Sequence, residues 1–586
     1  MKPTKEQLER QALRVKRTGA ACLAALLIVF GGLFARILVL KLDPPEQLQK
    51  AAGEPFSSFP QMARRGDLLD RAGRIIATSS VGYRLFVDPQ EVDDIQTIAL
   101  DISHLIGGDP ATYDRVIFER PDARYVVLSH LLDDVQVESL RQANLKGVGL
   151  EPRLVRNYTS EQIGSILVGK VGFEHTGQAG MEHRFNEDLL PSDGQLTYLK
   201  DARGEPMWIE PSGFTPRSDG EDIRLSLDLV IQEIAERNLR EAVEQYNAGG
   251  GRAVVLDVQT GEVLALCDIL RERSNWKPFT ADPAREIHPS LGRNRCATDP
   301  YEPGSTFKPF VWSVATEMGK AKLEEIIPTP SGGPHMTSRG RIIRDVKYYG
   351  PVSWETVLVK SMNSGMAIVG ERFTQRELQE TLSRWGFGSK TGAGLPGESA
   401  GIVTEPRKWN HHTQTSVPMG HEIAVTPLQM VQAFSAFCRD GTMVDLRLTA
   451  VRGNQDRIPV IRRVLDPDTA HLTRYTMRKV MTDGTGRQSQ SKLYQLFGKS
   501  GTAQLPKSGG GGYYEDRYVS SFIAGAPLEH PRIIVLVVID DPDRKIHHYG
   551  GIVAGPAARD IMDEALGYLG VVPDIEQEPM HLALGE

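Results

Sequence analysis

In the segment YEPGSTFKPF, residues 301–310, a serine and a lysine stand three positions apart. On a helix, that spacing puts the Ser305 hydroxyl and the Lys308 amine on one face. Pro303-Gly304 ends the preceding loop, so Ser305 opens the helix, and Pro309 is tolerated there because first-turn N–H groups have no intrahelical partner. A serine at that point lies in the positive field of the helix N-terminus. A neighbouring amine can take its proton if that amine is neutral, and burial or a second cation lowers a lysine pKa in the required direction. The spacing alone is weak, since ordinary Ser and Lys usage gives about two such matches in a chain this long. Ser274–Lys277 and Ser489–Lys492 also match. They lack the Pro-Gly entry and the aromatic-apolar sequel, and both read as surface.

Two further elements follow in order. Ser361 and Asn363, in KSMN, form an S-x-N; taken alone they are ordinary loop residues. A literal Lys-Thr-Gly at 390–392 is embedded in GSKTGAGLPG and reads as a loop. The stronger candidate is FGKSGTA, 497–503, which precedes the strand-like run YVSSFIAGA at 518–526. There Lys499 supplies a cation, and Ser500 and Thr502 offer hydroxyls to a carboxylate. Gly501, with no side chain, lets a substrate backbone lie against the strand edge.

The elements that must hold these groups are partly legible. RRGDLLDRAGRIIA, 64–77, reads as strand–turn–strand around Asp70–Gly73, and its RGD tripeptide as a chance match. Residues 80–220 mix short strands and amphipathic helices and form a non-catalytic module. From Asp222 the texture changes: 223–229 alternates like a strand, 231–243 has helical spacing, and 253–258 and 262–267 form a hairpin through Thr260-Gly261. Thr426 and Pro427 suit the N-cap and first position of a helix whose Leu428, Val431, Phe434 and Phe437 face the core and which Gly441 ends. Residues 533–539 read as a buried strand. The fold class is α+β.

The chain has 586 residues and a net charge of −7, with 40% hydrophobic and 24% charged residues. That length suggests several domains, and the composition excludes a wholly disordered chain. The mean hydropathy of −0.29 excludes a many-span membrane protein, and the acidic balance argues against nucleic acid as a partner. Cys22, Cys267, Cys296 and Cys438 make no disulfide framework, although one pair among the last three stays open. No Cys/His set has metal-ligand spacing, and the His411–His412 and His547–His548 pairs read as loops; no metal or cofactor is expected. Basic residues among the first 17 precede an apolar run of about 22 residues, enough to span a bilayer of roughly 30 Å. The basic flank places the N-terminus in the cytoplasm.

The ordered set Ser305-x-x-Lys308, Ser361-x-Asn363 and Lys499-Ser500-Gly501 resembles that of β-lactamases and penicillin-binding proteins. RGDLLDRAG (65–73), GQAGMEHRFN (177–186), GAGLPGE (392–398), TPLQ (426–429) and HYGGIVAGP (548–556) extend the resemblance to a class B penicillin-binding protein over roughly residues 60–570. Serine at 500 stands where threonine is commoner, and the Gly509–Gly512 run is unusual; it reads as a flexible loop beside the site. The resemblance implies a transpeptidase domain of antiparallel sheet with flanking helices, a pedestal domain and one transmembrane helix. The implied reaction is D,D-transpeptidation of peptidoglycan stem peptides ending in D-Ala-D-Ala. Ser305 would be the nucleophile and Lys308 the base. Ser361 would relay a proton, and Asn363 would hold Lys308 and a substrate amide. Lys499, Ser500 and Thr502 would bind the terminal carboxylate, with Gly501 beside them. The backbone N–H groups of Ser305 and Thr502 would form the oxyanion hole, and β-lactams would trap Ser305.

The implied organisation is a cytoplasmic tail (1–17), an anchor (18–40), a tether (41–60), a pedestal (61–221), a transpeptidase domain (222–570) and a disordered tail (571–586). It places the protein in the bacterial cytoplasmic membrane with its catalytic domain outside. Only a pedestal, not a glycosyltransferase domain, fits between anchor and catalytic domain, which implies a polytopic membrane glycosyltransferase and other division proteins as partners. The loops at 394–401 and 420–429 resemble the septal branch more than the elongation branch. Competing readings are an elongation-type enzyme, a scaffold that activates the glycosyltransferase, a D,D-carboxypeptidase and a β-lactamase.

Overall fold

The computed structural model describes residues 5–43, 45, 56–159, 164–172, 175–200, 206–271, 293–410, 412–451, 460–507 and 512–576. Most of the expected tether, Ser274–Lys277, His411, Gly509–Gly511 and the tail from 577 lie outside them. The described chain divides into two compact units: residues 1–63 with 192–219, and residues 64–191 with 220–586.

The first unit holds α1 (Lys5–Leu42) and a three-stranded antiparallel sheet of β1 (Phe56–Gln61) with two strands from residues 194–215. The end of the expected tether is thus a strand. Ala12–Leu42 is long and apolar enough to cross a membrane and fits a single-pass anchor.

The second unit begins with β2 (Leu68–Leu69) and β3 (Ile75–Val87), joined by the turn that the sequence marked. Asp70 fixes this turn by accepting from the backbone N–H groups of Ala72 (2.9 Å) and Arg74 (2.8 Å). β4 (Val126–Leu132) and β5 (Val148–Tyr158) both pair with β3. Arg65, the first residue of the RGD, is buried and cannot meet a receptor. Its guanidinium donates to the Glu182 carboxylate at 2.8 Å, and Arg156 donates to the other oxygen at 2.7 Å.

The expected strand over 223–229 is shorter: only Ile223–Arg224 pairs, as β6, and it runs parallel to β2. Asp228 instead caps α2 (Leu229–Gln245), accepting from Val230 N at 3.0 Å. The hairpin is β7 (Gly250–Asp257) and β8 (Val263–Leu270). Then come α3 (Lys308–Glu317), α4 (Asn363–Gly370), α5 (Pro427–Cys438) and α6 (Pro467–Thr482). β9 (Phe497–Pro506), β10 (Tyr513–Ala526), β11 (Ile533–Asp540) and α7 (Gly555–Tyr568) complete the unit. As the sequence indicated, Thr426 caps α5 in a reciprocal capping box with Gln429.

The central sheet is antiparallel throughout, in the order β8-β7-β11-β10-β9, so β9 is an outer strand. Successive side chains of a strand point to opposite faces. Val255, Val535 and Val537 therefore meet α2 and α7 on one face, among Leu239 and Ile561. Val254, Leu536 and Val538 join the core of α3 and α5 on the other, with Phe310, Phe434 and Phe437. Burial on both faces is why residues 253–256 of β7 and 533–539 of β11 are unbroken apolar runs. Leu68, Ile76, Leu167, Met181 and Leu189 share that second core. Cys267, Cys296 and Cys438 are buried and free, which closes the disulfide left open above. Residues 571–575 are fastened down: Val571 O accepts from Tyr494 Oη at 2.7 Å, and Asp574 accepts from Gln495 N at 2.6 Å.

One expectation follows from the buried charges. Glu182→Leu removes the counter-charge of two buried guanidinium groups and should cost about 3–5 kcal/mol, read as a fall in the urea midpoint of the full chain. A midpoint within error of the parent would contradict this account of Arg65 and Arg156.

Candidate active site

Ser305 sits in a single 3-10 turn, Gly304–Phe307, that runs straight into α3. The turn is tied by Thr306 Oγ1 donating to Pro303 O at 2.7 Å. Behind it lies an aromatic wall. Phe307 packs on Phe387 (4.9 Å between centroids), and Phe310 packs on Trp385 (5.0 Å) and Phe437 (5.5 Å). These rings leave α3 no freedom to rotate, so the face carrying Ser305 and Lys308 is fixed.

Ser361 and Asn363 lie at a junction of two helices, not in an open loop. The helix Trp354–Val359 ends just before Ser361, and Asn363 opens α4. Ser361 has φ +59°, a left-handed conformation uncommon for a residue with a side chain. Asp345 holds the junction: its carboxylate accepts from Asn363 N, from Ser364 N at 3.0 Å and from Ser364 Oγ.

Lys499, Ser500, Gly501 and Thr502 lie on β9. Here the structure supplies a different reason for the glycine. A Cβ on Gly501 would sit 2.6 Å from Ser521 Oγ on β10, 2.7 Å from Pro303 O and 2.9 Å from Thr306 Cγ2, so the turn that carries Ser305 comes close as well as the paired strand. A Cβ on Gly304 would lie 3.1 Å from Thr502 O, which puts the backbones of Ser305 and Thr502 side by side. Gly550 N donates to Thr502 Oγ1 at 3.0 Å, and the Thr485 and Ser500 hydroxyls meet at 2.8 Å.

The three segments converge on a cavity of about 410 Å³ lined by Ser305, Ser361, Asn363, Ser500 and Thr502. Lys308 and Lys499 are fully buried beneath it. Lys308 Nζ lies 2.6 Å from Ser361 O, 2.7 Å from Asn363 Oδ1 and 3.3 Å from Ser361 Oγ. Lys499 Nζ lies 2.9 Å from the same Ser361 Oγ and 3.0 Å from Ser500 O. Burial pushes the Lys308 amine down to about 7, although the nearby Asp345 carboxylate opposes this. Burial and the neighbouring Lys308 push Lys499 well below the usual lysine range. The arrangement can take a proton from a hydroxyl at neutral pH and hold a carboxylate above Lys499.

All the sequence candidates thus come together, including both cations. The Lys390-Thr391-Gly392 alternative does not: Lys390 is exposed, and Thr391 is turned inward, donating its N–H to Glu398 at 2.7 Å. Ser489 corrects the surface reading given to Ser489–Lys492. It is buried and donates to Gly551 O at 2.9 Å, directly behind the site. Asp345 and Thr485 were missed, because neither sits in a recognisable spacing. The HYGGIVAGP run gave a usable signal for its glycines: a Cβ on Gly550 would strike Gly501 O at 2.1 Å, and one on Gly551 would strike Thr485 O at 2.4 Å.

Known proteins resemble this chain over most of its length. Residues 251–563 match the penicillin binding protein transpeptidase domain, and residues 60–225 match the penicillin-binding protein dimerisation domain. The chain is 30% identical to a probable peptidoglycan D,D-transpeptidase, PenA, of Neisseria meningitidis over 98% of its own length and 96% of that protein. It is 28% identical to the peptidoglycan D,D-transpeptidase FtsI of Escherichia coli, over 94% and 91%. The crystal structure of penicillin binding protein 3 from Mycobacterium tuberculosis, complexed with aztreonam, has the same fold, with TM-score 0.64 and 24% identity over 88% of this chain and 98% of that one. With the domain match covering more than half its length, the chain belongs to the penicillin-binding protein transpeptidases.

Proposed function

We propose that this chain cross-links peptidoglycan as a serine D,D-transpeptidase, through an acyl-enzyme on Ser305, and works in septal wall synthesis. The observation that carries the reading is the pair of buried amines meeting at the Ser361 hydroxyl under the Ser305 cavity. Neutral Lys308 takes the Ser305 proton, and Oγ attacks the carbonyl between the terminal D-Ala residues. Negative charge grows on that oxygen and is met by the adjacent backbone N–H groups of Ser305 and Thr502. Ser361 passes the proton to the departing D-Ala amine. Asn363 keeps Lys308 in place and offers its amide to the substrate. Lys499, Ser500 and Thr502 take the terminal carboxylate. A carboxylate above Lys499 restores that amine's charge, and the charge in turn holds Lys308 neutral. Substrate binding therefore helps to prepare the base. β-Lactams present the same carbonyl and carboxylate and trap Ser305.

The basic residues before the apolar helix support a cytoplasmic N-terminus, with the pedestal (61–221) and the transpeptidase domain (222–570) on the far side of the cytoplasmic membrane. The relative named FtsI supports the septal assignment. A polytopic membrane glycosyltransferase, contacted through the span and pedestal, would supply the glycan strands.

Fluorescent penicillin should label the detergent-solubilised chain and fail to label folded Ser305→Ala; equal labelling of both would sink the assignment. With Lys308 near 7, the working form is the deprotonated one. The acylation rate should therefore rise about tenfold per pH unit below 7 and level off above it, and a flat profile from pH 5 to 8 would exclude Lys308 as base. Gly501→Ala should slow acylation by about 100-fold by displacing the nucleophile turn, and an unchanged rate would show that the turn accommodates the methyl.

A further inference from the structure

Accepting the acyl-enzyme on Ser305, the second half-reaction needs an amine from another stem. An alkyl amine arrives as an ammonium ion at neutral pH and must lose a proton before it can attack. Its second proton, released on attack, returns to Ser305. The first needs a different acceptor, because Lys308 and Ser361 are committed to that return.

The ionisable groups lining the cavity leave few choices. Asp345 is occupied by Asn363 N, Ser364 N and Ser364 Oγ. Lys347, Lys360 and Arg487 are cations with no lone pair to give, and the tyrosines are neutral phenols. His421 also lines the cavity. Its Nδ1 lies 3.0 Å from Glu302 Oε2, and a carboxylate can only accept, so that nitrogen carries the hydrogen. In the neutral ring, Nε2 is then the nitrogen that offers a lone pair.

Glu302 is itself held. Its other oxygen accepts from Glu422 N at 3.0 Å and from Tyr513 Oη at 2.9 Å. The turn that carries the histidine is clamped to the nucleophile turn. Tyr301 and Val425 exchange both backbone hydrogen bonds at 2.9 Å, and Gly304 N donates to Gly420 O at 3.0 Å. A Cβ on Gly420 would lie 2.1 Å from Gly304 O, one residue before Ser305. His421 stands between two residues in the left-handed region, Gly420 (φ +78°) and Glu422 (φ +60°). Strain of that kind at a non-glycine residue persists where the surroundings impose it.

We propose that His421, oriented by Glu302, is the acceptor-side base. Nε2 takes one proton from the incoming ammonium and passes it to solvent. The freed amine attacks the acyl carbon, the C–N bond forms and the C–Oγ bond breaks. The nitrogen's second proton reaches Ser305 Oγ through Ser361 and Lys308. Glu302 is a positioning residue.

The test uses the full chain, an N-benzoyl-D-alanyl thioester as donor, and D-alanine or hydroxylamine as acceptor at neutral pH. Labelling by fluorescent penicillin, at whatever rate, reports that the Ser305 acyl-enzyme forms. The ratio of aminolysis to hydrolysis then isolates the second step. With D-alanine, an ammonium ion at this pH, His421→Gln should lower that ratio at least tenfold. With hydroxylamine, whose nitrogen is already unprotonated, the ratio should hold within about threefold. Glu302→Ala should show the same pattern more weakly, and it carries the comparison if His421→Gln fails to label. An unchanged ratio with D-alanine, or an equal loss with both acceptors, would overturn the proposal. Failure of the parent chain to label would overturn the acyl-enzyme reading instead.

Discussion

Lys308 and Lys499 are both withdrawn from water and both within hydrogen-bonding reach of one hydroxyl, that of Ser361. Two ammonium groups so placed would repel each other strongly in a medium of low effective dielectric. At least one must give up its charge, and the rest of the catalytic unit can be understood as the means of enforcing this. The aromatic wall behind α3 prevents Lys308 from swinging out to water. The five-stranded sheet does the same for Lys499, whose strand is paired along its inner side to β10. Asp345 opposes the effect through its charge alone, its oxygens being taken by backbone and hydroxyl donors. A looser core would let either amine reach solvent and regain its proton, and the hydroxyl of Ser305 would then have no base.

Legibility in the sequence tracked how local each cause was. The Asp70 turn, the Thr426 capping box, the β7–β8 hairpin and the three ordered motifs are set by residues within a few positions of one another, and all could be read directly. The apolar strand after 499, which has no counterpart after 390, singled out Lys499, the lysine that the structure places beside Ser361. What stayed hidden depended on contacts across long stretches of chain. Nothing near Asp345 announces that it will hold Asn363. Gly501 was noticed, but the close approach of Pro303, almost two hundred residues earlier, was not. Ser489 lacked the flanking signals of Ser305 and read as surface, yet it is buried, bonded to Gly551 O and packed against Gly555. The 223–229 run alternated like a strand, yet Asp228 was needed as a cap.

The ion cluster of Arg65, Glu182 and Arg156 shows the same logic away from the chemistry. Three charged side chains are buried beside an apolar core that joins Leu68 and Met181 to Phe310. Such a cluster contributes little net stability compared with apolar packing, but it is intolerant of misalignment, since both buried guanidinium groups must meet the one Glu182 carboxylate. It therefore specifies how segments 64–77, 152–158 and 177–186 meet, which apolar contacts alone would leave less defined.

The outer position of β9 has a consequence for variation over time. A peptide laid along an outer strand is held mainly by main-chain groups, and a main-chain N–H or C=O cannot be altered by exchanging a side chain. The drug-like mimic and the natural peptide would lean on the same invariant groups there. Selection that must weaken one while sparing the other has little to work with on the strand itself. It is left with the rim: Lys347, Tyr349 and Tyr549, whose rings and charge border the cavity without belonging to the backbone ladder. Divergence among chains of this type should therefore accumulate around the mouth of the site, while its floor stays nearly constant.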